Sequence, residues 1–166
     1  MQRVKSFALV FALLLVIWLL LTYPFSIAEL VAGSAAALVI ALLPTGAARV
    51  MREVRVSPRA LIAAIAYARV FLVALVRANL DVAFRVLKPS LPISPGIVRI
   101  RTSLTTPLAR TLLANSITLT PGTITVEARG DLFYVHWISV SDNADIEEAT
   151  RSIVGRFERY LEVFLG

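Results

Sequence analysis

The chain has 166 residues, of which 58% are hydrophobic and 17% are charged, and its mean hydropathy is +0.79; a soluble domain usually carries about a quarter charged residues, so part of this chain must lie in a membrane. Its formal net charge of +6 suits nucleic acid, anionic lipid or the cytoplasmic rim of a membrane protein, and the high hydropathy favours the last two. The absence of cysteine excludes disulfides, thiolate metal sites and thiol nucleophiles, and the single histidine excludes a histidine cluster.

Two apolar runs near the N-terminus predict a membrane hairpin over residues 1–48. The first extends from Phe7 to Leu21 and the second from Ile27 to Leu43, with a short connection between them. Each run has about 16 to 19 residues, close to the lower limit for a helix that crosses a bilayer. No small-residue cleavage site follows the first run, so we interpret it as a retained helix rather than a secretory signal. Ser26 is the expected N-cap of the second helix.

The second helix carries the small residues Gly33-Ser34-Ala35-Ala36-Ala37. Small residues let two membrane helices approach closely. They suit either a contact with a partner helix or the hairpin's own contact, and the sequence favours neither. Glu29, near the start of this helix, is the only ionisable residue within the two apolar runs. It is therefore the one candidate in the hairpin for a contribution to an ion path.

Basic residues flank the hairpin at one side of the membrane. Arg3 and Lys5 precede the first helix and four arginines follow the second, whereas the connection between the helices has no Lys or Arg. Because basic residues are enriched on the cytoplasmic side, we expect a multi-pass protein of the cell membrane with a cytoplasmic N-terminus and a cytoplasmic C-terminal domain. The four arginines are Arg49, Arg52, Arg55 and Arg59.

The segment from Ser57 to Leu87 predicts one long helix that starts at Ser57-Pro58. Ala60 to Val76 is apolar apart from Tyr67 and Arg69, which is long enough for a third span. Charge placement favours an amphipathic helix at the cytoplasmic interface instead, because most of its charges share one side. These charges are Arg59, Arg77, Asp81, Arg85 and Lys88. We therefore predict two spans, a basic loop and interfacial helix over residues 49–88, and an Arg69 that reaches the headgroups.

Three prolines between Lys88 and Gly96 mark a domain boundary, and residues 89–166 predict a small cytoplasmic α+β domain. The predicted order is β-α-β-β-α, with a three-stranded sheet and helices on one face. The elements are a strand from Ile97 to Arg101, a helix from Thr106-Pro107, strands over 123–128 and 132–140 joined by Arg129-Gly130-Asp131, and a last helix capped by Asp142 or Asn143.

The most distinctive stretch of this domain, residues 114–123, joins its first helix to its second strand, and we call it the joint. It reads Ala-Asn-Ser-Ile-Thr-Leu-Thr-Pro-Gly-Thr, and Pro121-Gly122 suits a type II turn. The joint has no charge, so any chemistry there rests on hydroxyls and one amide. We expect Asn115, Ser116 and Thr120 to cap or bridge the turn; the alternative is a purely structural hinge.

Residues suited to catalysis or metal binding are scarce. Asp142, Asp145, Glu147 and Glu148 lack the spacing of a calcium loop and suit a helix N-terminus. His136 lies in a strand with apolar residues on both faces, which is typical of a packed or interface residue rather than of a metal ligand. The sequence has no phosphate loop and no nucleophile–base pair. We predict no catalytic residue, no metal and no cofactor.

Four stretches resemble the E subunits of the multisubunit Na+/H+ antiporters of the Mrp or Mnh type. They are Arg77-Ala78-Asn79-Leu80, Pro95-Gly96-Ile97-Val98, the run from Leu113 to Thr123, and Tyr134-Val135-His136-Trp137-Ile138. The resemblance implies that the motif residues serve structure or interfaces. These are Arg77, Asn79, Pro95, Gly96, Asn115, Ser116, Thr120, Pro121, Gly122, Thr123, His136 and Trp137.

The resemblance also implies an accessory subunit of a large membrane assembly that exchanges cytoplasmic Na+ or K+ for external H+. Ion translocation in that family is assigned to the large antiporter-like subunits, so the expected role here is assembly, and the expected partners are those subunits and membrane lipids. Neither nucleic acid nor a small-molecule substrate is expected. Related subunits also occur in membrane-bound hydrogenases and similar respiratory complexes. A further alternative is a self-standing, membrane-anchored module whose basic helix binds anionic lipid.

Overall fold

The computed structural model describes residues 2–24, 26–43, 46, 50–140 and 145–165. The chain divides into two units, Met1–Val54 and Arg55–Gly166. The first unit is helical, and the second combines helices with a three-stranded sheet. A helical hairpin and a small α+β domain are therefore both present, as the sequence predicts.

The first unit contains α1 (Gln2–Leu21) and α2 (Ile27–Leu42), which pack against each other. Ser26 is the N-cap of α2, and its hydroxyl accepts a hydrogen bond from the backbone N–H of Glu29 at 3.3 Å. The predicted hairpin and its cap are confirmed. Residues 44, 45 and 47–49, which include the Arg49 of the orientation argument, lie outside the described residues.

The small residues of α2 form its contact with α1. Gly33, Ala37 and Ala41 are spaced four residues apart and are the buried residues of α2. A Cβ atom at position 33 would overlap the indole ring of Trp18, so only glycine leaves room for that ring. Of the two interpretations of the small-residue run, the structure supports the hairpin's own contact.

Two polar contacts supplement this packing. The indole N–H of Trp18 donates a hydrogen bond to the carboxylate of Glu29 at 3.2 Å, close to the connection between the helices. The Lys5 ammonium group donates to the backbone carbonyl of Val54 at 2.5 Å. Glu29 therefore has a structural partner within the hairpin.

The second unit begins with α3 (Pro58–Leu87) and continues through β1 (Gly96–Arg101), α4 (Pro107–Leu119), β2 (Thr123–Arg129), β3 (Leu132–Trp137), α5 (Ile146–Ile153) and α6 (Gly155–Leu165). The strands are antiparallel and lie in the order β1-β3-β2. β3 ends at Trp137 rather than at Val140 as predicted. The reason is that the N–H groups of Ile138 and Val140 bind the carbonyls of Gly122 and Ser94, outside the ladder.

The core of the second unit lies between one face of the sheet and the helices. Val98 pairs with Val135 and Ile100 with Phe133 across neighbouring strands, and all four side chains are buried. The helices contribute Ala109, Leu113, Ile117, Ala149, Ile153, Phe157, Leu161 and Leu165. Because burying a large apolar side chain contributes roughly 1.5–3 kcal/mol, this core supplies most of the driving force for folding.

The last helix differs from the predicted one at its start and in its middle. The predicted caps Asp142 and Asn143 lie outside the described residues, and the prediction is wrong because the N-cap is Asp145. The carboxylate of Asp145 accepts a hydrogen bond from the N–H of Glu148 at 2.8 Å. The helix also divides at Val154 into α5 and α6. Val154 keeps helical dihedral angles (φ −99°, ψ −40°), so both parts still turn their apolar positions to the core.

The long helix α3 starts at Ser57-Pro58 as predicted, and the Ser57 hydroxyl accepts a hydrogen bond from the N–H of Ala60 at 3.1 Å. Its rings at Tyr67 and Phe71 contact Phe157 and Phe164 of α6, with centroids 5.7 to 6.4 Å apart. The helix therefore belongs structurally to the α/β unit.

Length and composition make α1 and α3 candidate membrane spans among the described residues. The predicted second span, α2, has 16 residues and so about 24 Å of helix, against a hydrocarbon core of about 30 Å. The predicted interfacial helix thus meets the length criterion for a span, and α2 does not.

Candidate functional site

The joint folds as a helix end, a tight turn and a strand start. α4 continues to Leu119, Thr120 is its C-cap, and β2 begins at Thr123. The N–H of Thr123 donates to the carbonyl of Thr120 at 3.2 Å across Pro121-Gly122, and Gly122 has φ +92°. These are the features of a type II turn, so the predicted turn is confirmed.

Threonine and serine hydroxyls bind the carbonyl groups around the end of α4. The Thr120 hydroxyl donates to the carbonyl of Ser116 at 2.7 Å, and the Thr123 hydroxyl lies 2.7 Å from the carbonyl of Ile117 and 2.9 Å from that of Thr120. The Thr118 hydroxyl accepts a hydrogen bond from the N–H of Thr125 at 3.1 Å. Because the last carbonyls of a helix have no partner within the helix, these bonds fix α4 to β2.

Asn115 does not have the capping geometry expected from the sequence. Its side chain is exposed on α4, and within the part of the chain that the structure describes no hydrogen bond connects it to the turn. Thr118 and Thr123 bridge the helix and the strand in its place. Alternating hydroxyls in the sequence signal this network, but they do not show which hydroxyl binds which carbonyl.

Gly122 has a positive φ and is also enclosed by neighbouring side chains. A Cβ atom there would lie 2.9 Å from Cγ2 of Ile138 and 3.9 Å from Cγ2 of Val82 on α3. Its positive φ is also unfavourable for residues that have a Cβ atom. Glycine is thus required at this position on two independent grounds.

A partly buried hydrogen bond connects the joint region to α3. The hydroxyl groups of Tyr67 and Ser116 form a short hydrogen bond, and Ser116 also donates to the carbonyl of Leu112 at 2.6 Å. Ser116 is only 1% exposed. The sequence motifs do not include Tyr67; its one signal in the sequence is that it interrupts an otherwise apolar run.

A cleft of about 370 Å³ lies between α3 and the joint, and we call it the joint cleft. Five of the sequence-predicted motif residues line it, although they come from three separate parts of the sequence. They are Arg77, Thr120, Pro121, Gly122 and Trp137. Arg156 of α6 lines it too and was not predicted, since nothing in its local sequence distinguishes it. The fold therefore brings much of the motif together in one place.

Other predicted residues lie away from this cleft. Asn79 is exposed on α3 and donates to the carbonyl of Leu75 at 2.8 Å. Pro95 is exposed, and Gly96 starts β1, where a Cβ atom would lie 3.1 Å from Val140. His136 is exposed on the open face of the sheet, in register with Ile97 and Ile124. Of the two positions expected for His136, the structure excludes the packed core.

Comparison with known families identifies a match over most of the chain. The family of Na+/H+ ion antiporter subunits matches residues 11–163. The E subunit of the Na+/H+ antiporter of Alkalihalophilus pseudofirmus is 41% identical over 87 residues, 51% of this chain and 53% of that protein. The corresponding E subunit of Bacillus subtilis is 36% identical over 95 residues, 56% of this chain and 58% of that protein. The chain thus spans just over half the length of these curated relatives.

A solved structure is similar over almost the full length. It is a chain of the membrane-bound sulfane sulfur reductase, an archaeal respiratory membrane complex. That chain is 39% identical, with a TM-score of 0.82 over 96% of this chain and 98% of that chain.

Proposed function

We propose a function for this chain from one fact: it belongs to the family of Na+/H+ ion antiporter subunits. In this proposal it is an accessory subunit of a multisubunit membrane complex that exchanges a monovalent cation for protons. Its role is to assemble and stabilise the complex, and the ion path lies in other subunits. The motif residues around the joint cleft then serve the internal order of the α/β unit and its contacts with partners.

The distribution of ionisable residues in the hairpin supports the part of this proposal that assigns the ion path to other subunits. A proton or cation path through a bilayer needs ionisable side chains that face a cavity. Arg3 and Lys5 lie at one end of the hairpin and Glu29 lies at the other, and the apolar runs between these ends contain no ionisable residue. Glu29 is already hydrogen-bonded to Trp18. This arrangement supports a structural role for the hairpin.

The packing of α3 supports an interfacial rather than a spanning position. Its middle, at Tyr67 and Phe71, contacts α6, and α6 carries four charged side chains. These are Arg156, Glu158, Arg159 and Glu162. A spanning α3 would carry them into hydrocarbon at high energetic cost. We therefore keep α1 and α2 as the spans, with local bilayer thinning compensating for the short α2.

This topology gives the chain three functional parts. Residues 1–48 anchor the protein in the cell membrane, residues 49–88 lie along its cytoplasmic surface, and residues 89–166 form the cytoplasmic domain. The N-terminus is cytoplasmic as well, in keeping with the basic residues that flank the hairpin.

A respiratory complex is the second candidate host. The observation that favours it is the likeness to a chain of an archaeal respiratory membrane complex, which extends over 96% of this chain. The curated antiporter relatives align over only 51 to 56% of the chain. In either host this chain is the same kind of accessory subunit.

Substitutions of Glu29 test whether the ion path lies in other subunits. In membrane vesicles from cells that carry only a variant copy, we expect Glu29→Gln to exchange cations at the wild-type rate, because glutamine keeps a hydrogen-bond acceptor for Trp18. Glu29→Leu removes the acceptor and should lower exchange and assembled complex in the same proportion. Loss of exchange in Glu29→Gln with a normal amount of complex would show that Glu29 belongs to an ion path.

A further inference from the structure

A second cleft of the α/β unit is lined by three arginines. It has a volume of about 440 Å³ and lies between α3 and α6. Arg69 and Arg77 come from α3 and Arg156 from α6, and Val70, Val73 and Ala74 complete the lining. We call it the arginine cleft. Its volume is within the range of small-molecule binding sites.

The positive charge of the arginine cleft is not compensated by the described residues that line it, since none of them is acidic. Asp81, which lines the adjoining joint cleft, is paired with Arg85 at 2.7 Å. The acidic residue of α6 that is nearest in sequence, Glu158, accepts hydrogen bonds from Thr102 and Ser103. Three like charges that line one cleft repel one another, so an anion there is favoured.

Arg156 is held in place by two contacts, neither of which is with an acidic side chain. One of its terminal N–H groups donates to the carbonyl of Ser152 at 2.9 Å, and its guanidinium lies 5.9 Å from the ring centre of Phe157. Guanidinium groups bind phosphate oxygens through paired N–H donors. The cleft therefore suits a phosphate group better than a carboxylate. Even in a phosphodiester, two charged and two ester oxygens surround the phosphorus as a tetrahedron, so arginines can approach from several directions, whereas the two oxygens of a carboxylate lie in one plane.

The position of Arg69 indicates where the phosphate comes from. Residues three, four and seven positions apart share one face of a helix. Arg69 thus shares its face with four large apolar side chains that are 55 to 68% exposed. They are Ile62, Ile65, Leu72 and Val76. Inorganic phosphate gains no binding energy from exposed apolar side chains, whereas the acyl chains of a lipid do.

We propose that the arginine cleft binds the phosphate of an anionic phospholipid, whose acyl chains lie along the apolar face of α3. Arg69, Arg77 and Arg156 hold the headgroup. This inference goes beyond the proposed function and holds for either host complex, because it concerns only the α/β unit and the membrane surface beside it.

The test measures lipid binding to the detergent-solubilised full chain by native mass spectrometry. The probes are dioctanoyl phosphatidylglycerol, dioctanoyl phosphatidylcholine and inorganic phosphate. We expect phosphatidylglycerol to bind at least about tenfold more tightly than the other two. Arg69→Gln, Arg77→Gln and Arg156→Gln should each weaken its binding by about tenfold, the effect of one charged hydrogen-bonding group.

Arg159→Gln is the matched control, since it removes the same charge from α6 outside the cleft, where the guanidinium packs on Tyr160. It should bind phosphatidylglycerol like the wild type. If all four variants weakened phosphatidylglycerol binding equally, the binding would depend only on the net charge of the chain, and the proposed site would be wrong. Inorganic phosphate binding as tightly as phosphatidylglycerol would overturn the lipid as the source of the phosphate. Unchanged thermal unfolding of the variants shows that a loss of binding is not a loss of fold.

Discussion

The contacts within the hairpin differ in kind from the contacts within the α/β unit. In the hairpin, Gly33, Ala37 and Ala41 let α1 approach closely, and Trp18 fills the space above Gly33. In the α/β unit, an apolar core is supplemented by hydroxyls and carboxylates that join residues far apart in sequence, such as Tyr67 with Ser116. In the membrane position proposed for the hairpin, this difference follows from the surroundings, because apolar helices in lipid gain no hydrophobic free energy by associating and close packing stabilises their contact instead.

This comparison predicts which kind of substitution damages each unit. Added volume should damage the hairpin where its two helices touch, whereas the α/β unit should be damaged both by added volume at its enclosed turn and by lost hydrogen bonds. The chain has two tryptophans, Trp18 in the hairpin and Trp137 in the α/β unit. In a Trp18→Phe background the remaining fluorescence comes from Trp137 and reports the unfolding of the α/β unit. In a Trp137→Phe background it comes from Trp18 and reports the unfolding of the hairpin.

Gly122→Ala should have the largest effect, because it combines an unfavourable backbone conformation with a steric overlap. We expect it to lower the free energy of unfolding of the α/β unit by about 2–4 kcal/mol. The measurement is the unfolding midpoint followed through Trp137. Gly155→Ala is the matched control, since a Cβ atom there meets no atom within 4 Å. If both variants unfold like the wild type, the enclosed turn does not stabilise the unit.

Gly33→Leu should destabilise the hairpin by about 1–3 kcal/mol, because a side chain there must displace Trp18. In the Trp137→Phe background, the emission of Trp18 should shift toward that of a more exposed indole. Ala35→Leu adds a large side chain at an exposed position of the same helix and should leave the emission unchanged. The comparison between the units fails if the two leucine variants behave alike.

Glu158→Ala should destabilise the α/β unit by about 1–2 kcal/mol, because it removes the acceptor of the Thr102 hydroxyl and the Ser103 N–H, whereas the Ser103 hydroxyl keeps its bond to Glu162. One carboxylate oxygen of Glu158 accepts bonds from the Thr102 hydroxyl at 2.6 Å, the Ser103 N–H at 2.5 Å and the Ser103 hydroxyl at 3.1 Å. Urea unfolding followed through Trp137 measures the effect. Glu147→Ala, an exposed residue in the first turn of α5, is the control; an equal loss there would mean that charge alone matters.

Tyr67→Phe should have the smallest effect, about 1 kcal/mol, since Ser116 keeps its bond to Leu112. A double-mutant cycle with Ser116→Ala isolates the contact between the two hydroxyls, and we expect non-additivity of about 0.5–1 kcal/mol. Strictly additive losses would show that the hydroxyl pair does not contribute to the link between α3 and α4.

Local patterns in the sequence predict the elements that depend on near neighbours. The apolar runs predict α1 and α2, Ser57-Pro58 predicts the start of α3, and Pro121-Gly122 predicts the turn with its positive φ. The cap of α5 was not predicted correctly because Asp142, Asn143 and Asp145 all have suitable side chains. Propensity alone does not choose among equivalent caps a few residues apart.

The sequence predicts the part of the candidate site that is continuous along the chain and misses the part that distant helices contribute. The joint is continuous in sequence, so its turn and hydroxyls are visible there. Tyr67 and Arg156 reach the site across the sequence, from α3 and α6, and their positions follow from helix packing. The burial of Ser116 and the exposure of His136 likewise depend on which faces the sheet and the helices present to each other.

The most direct test of the central claim is to recover the tagged full chain from its native membrane in mild detergent and to identify its partners by mass. An accessory subunit should bring several hydrophobic proteins with it, including large antiporter-like chains, and respiratory chains among them would identify the second candidate host. Recovery of the chain alone, folded and lipid-bound, would contradict the account and show that it works as an independent membrane-anchored module.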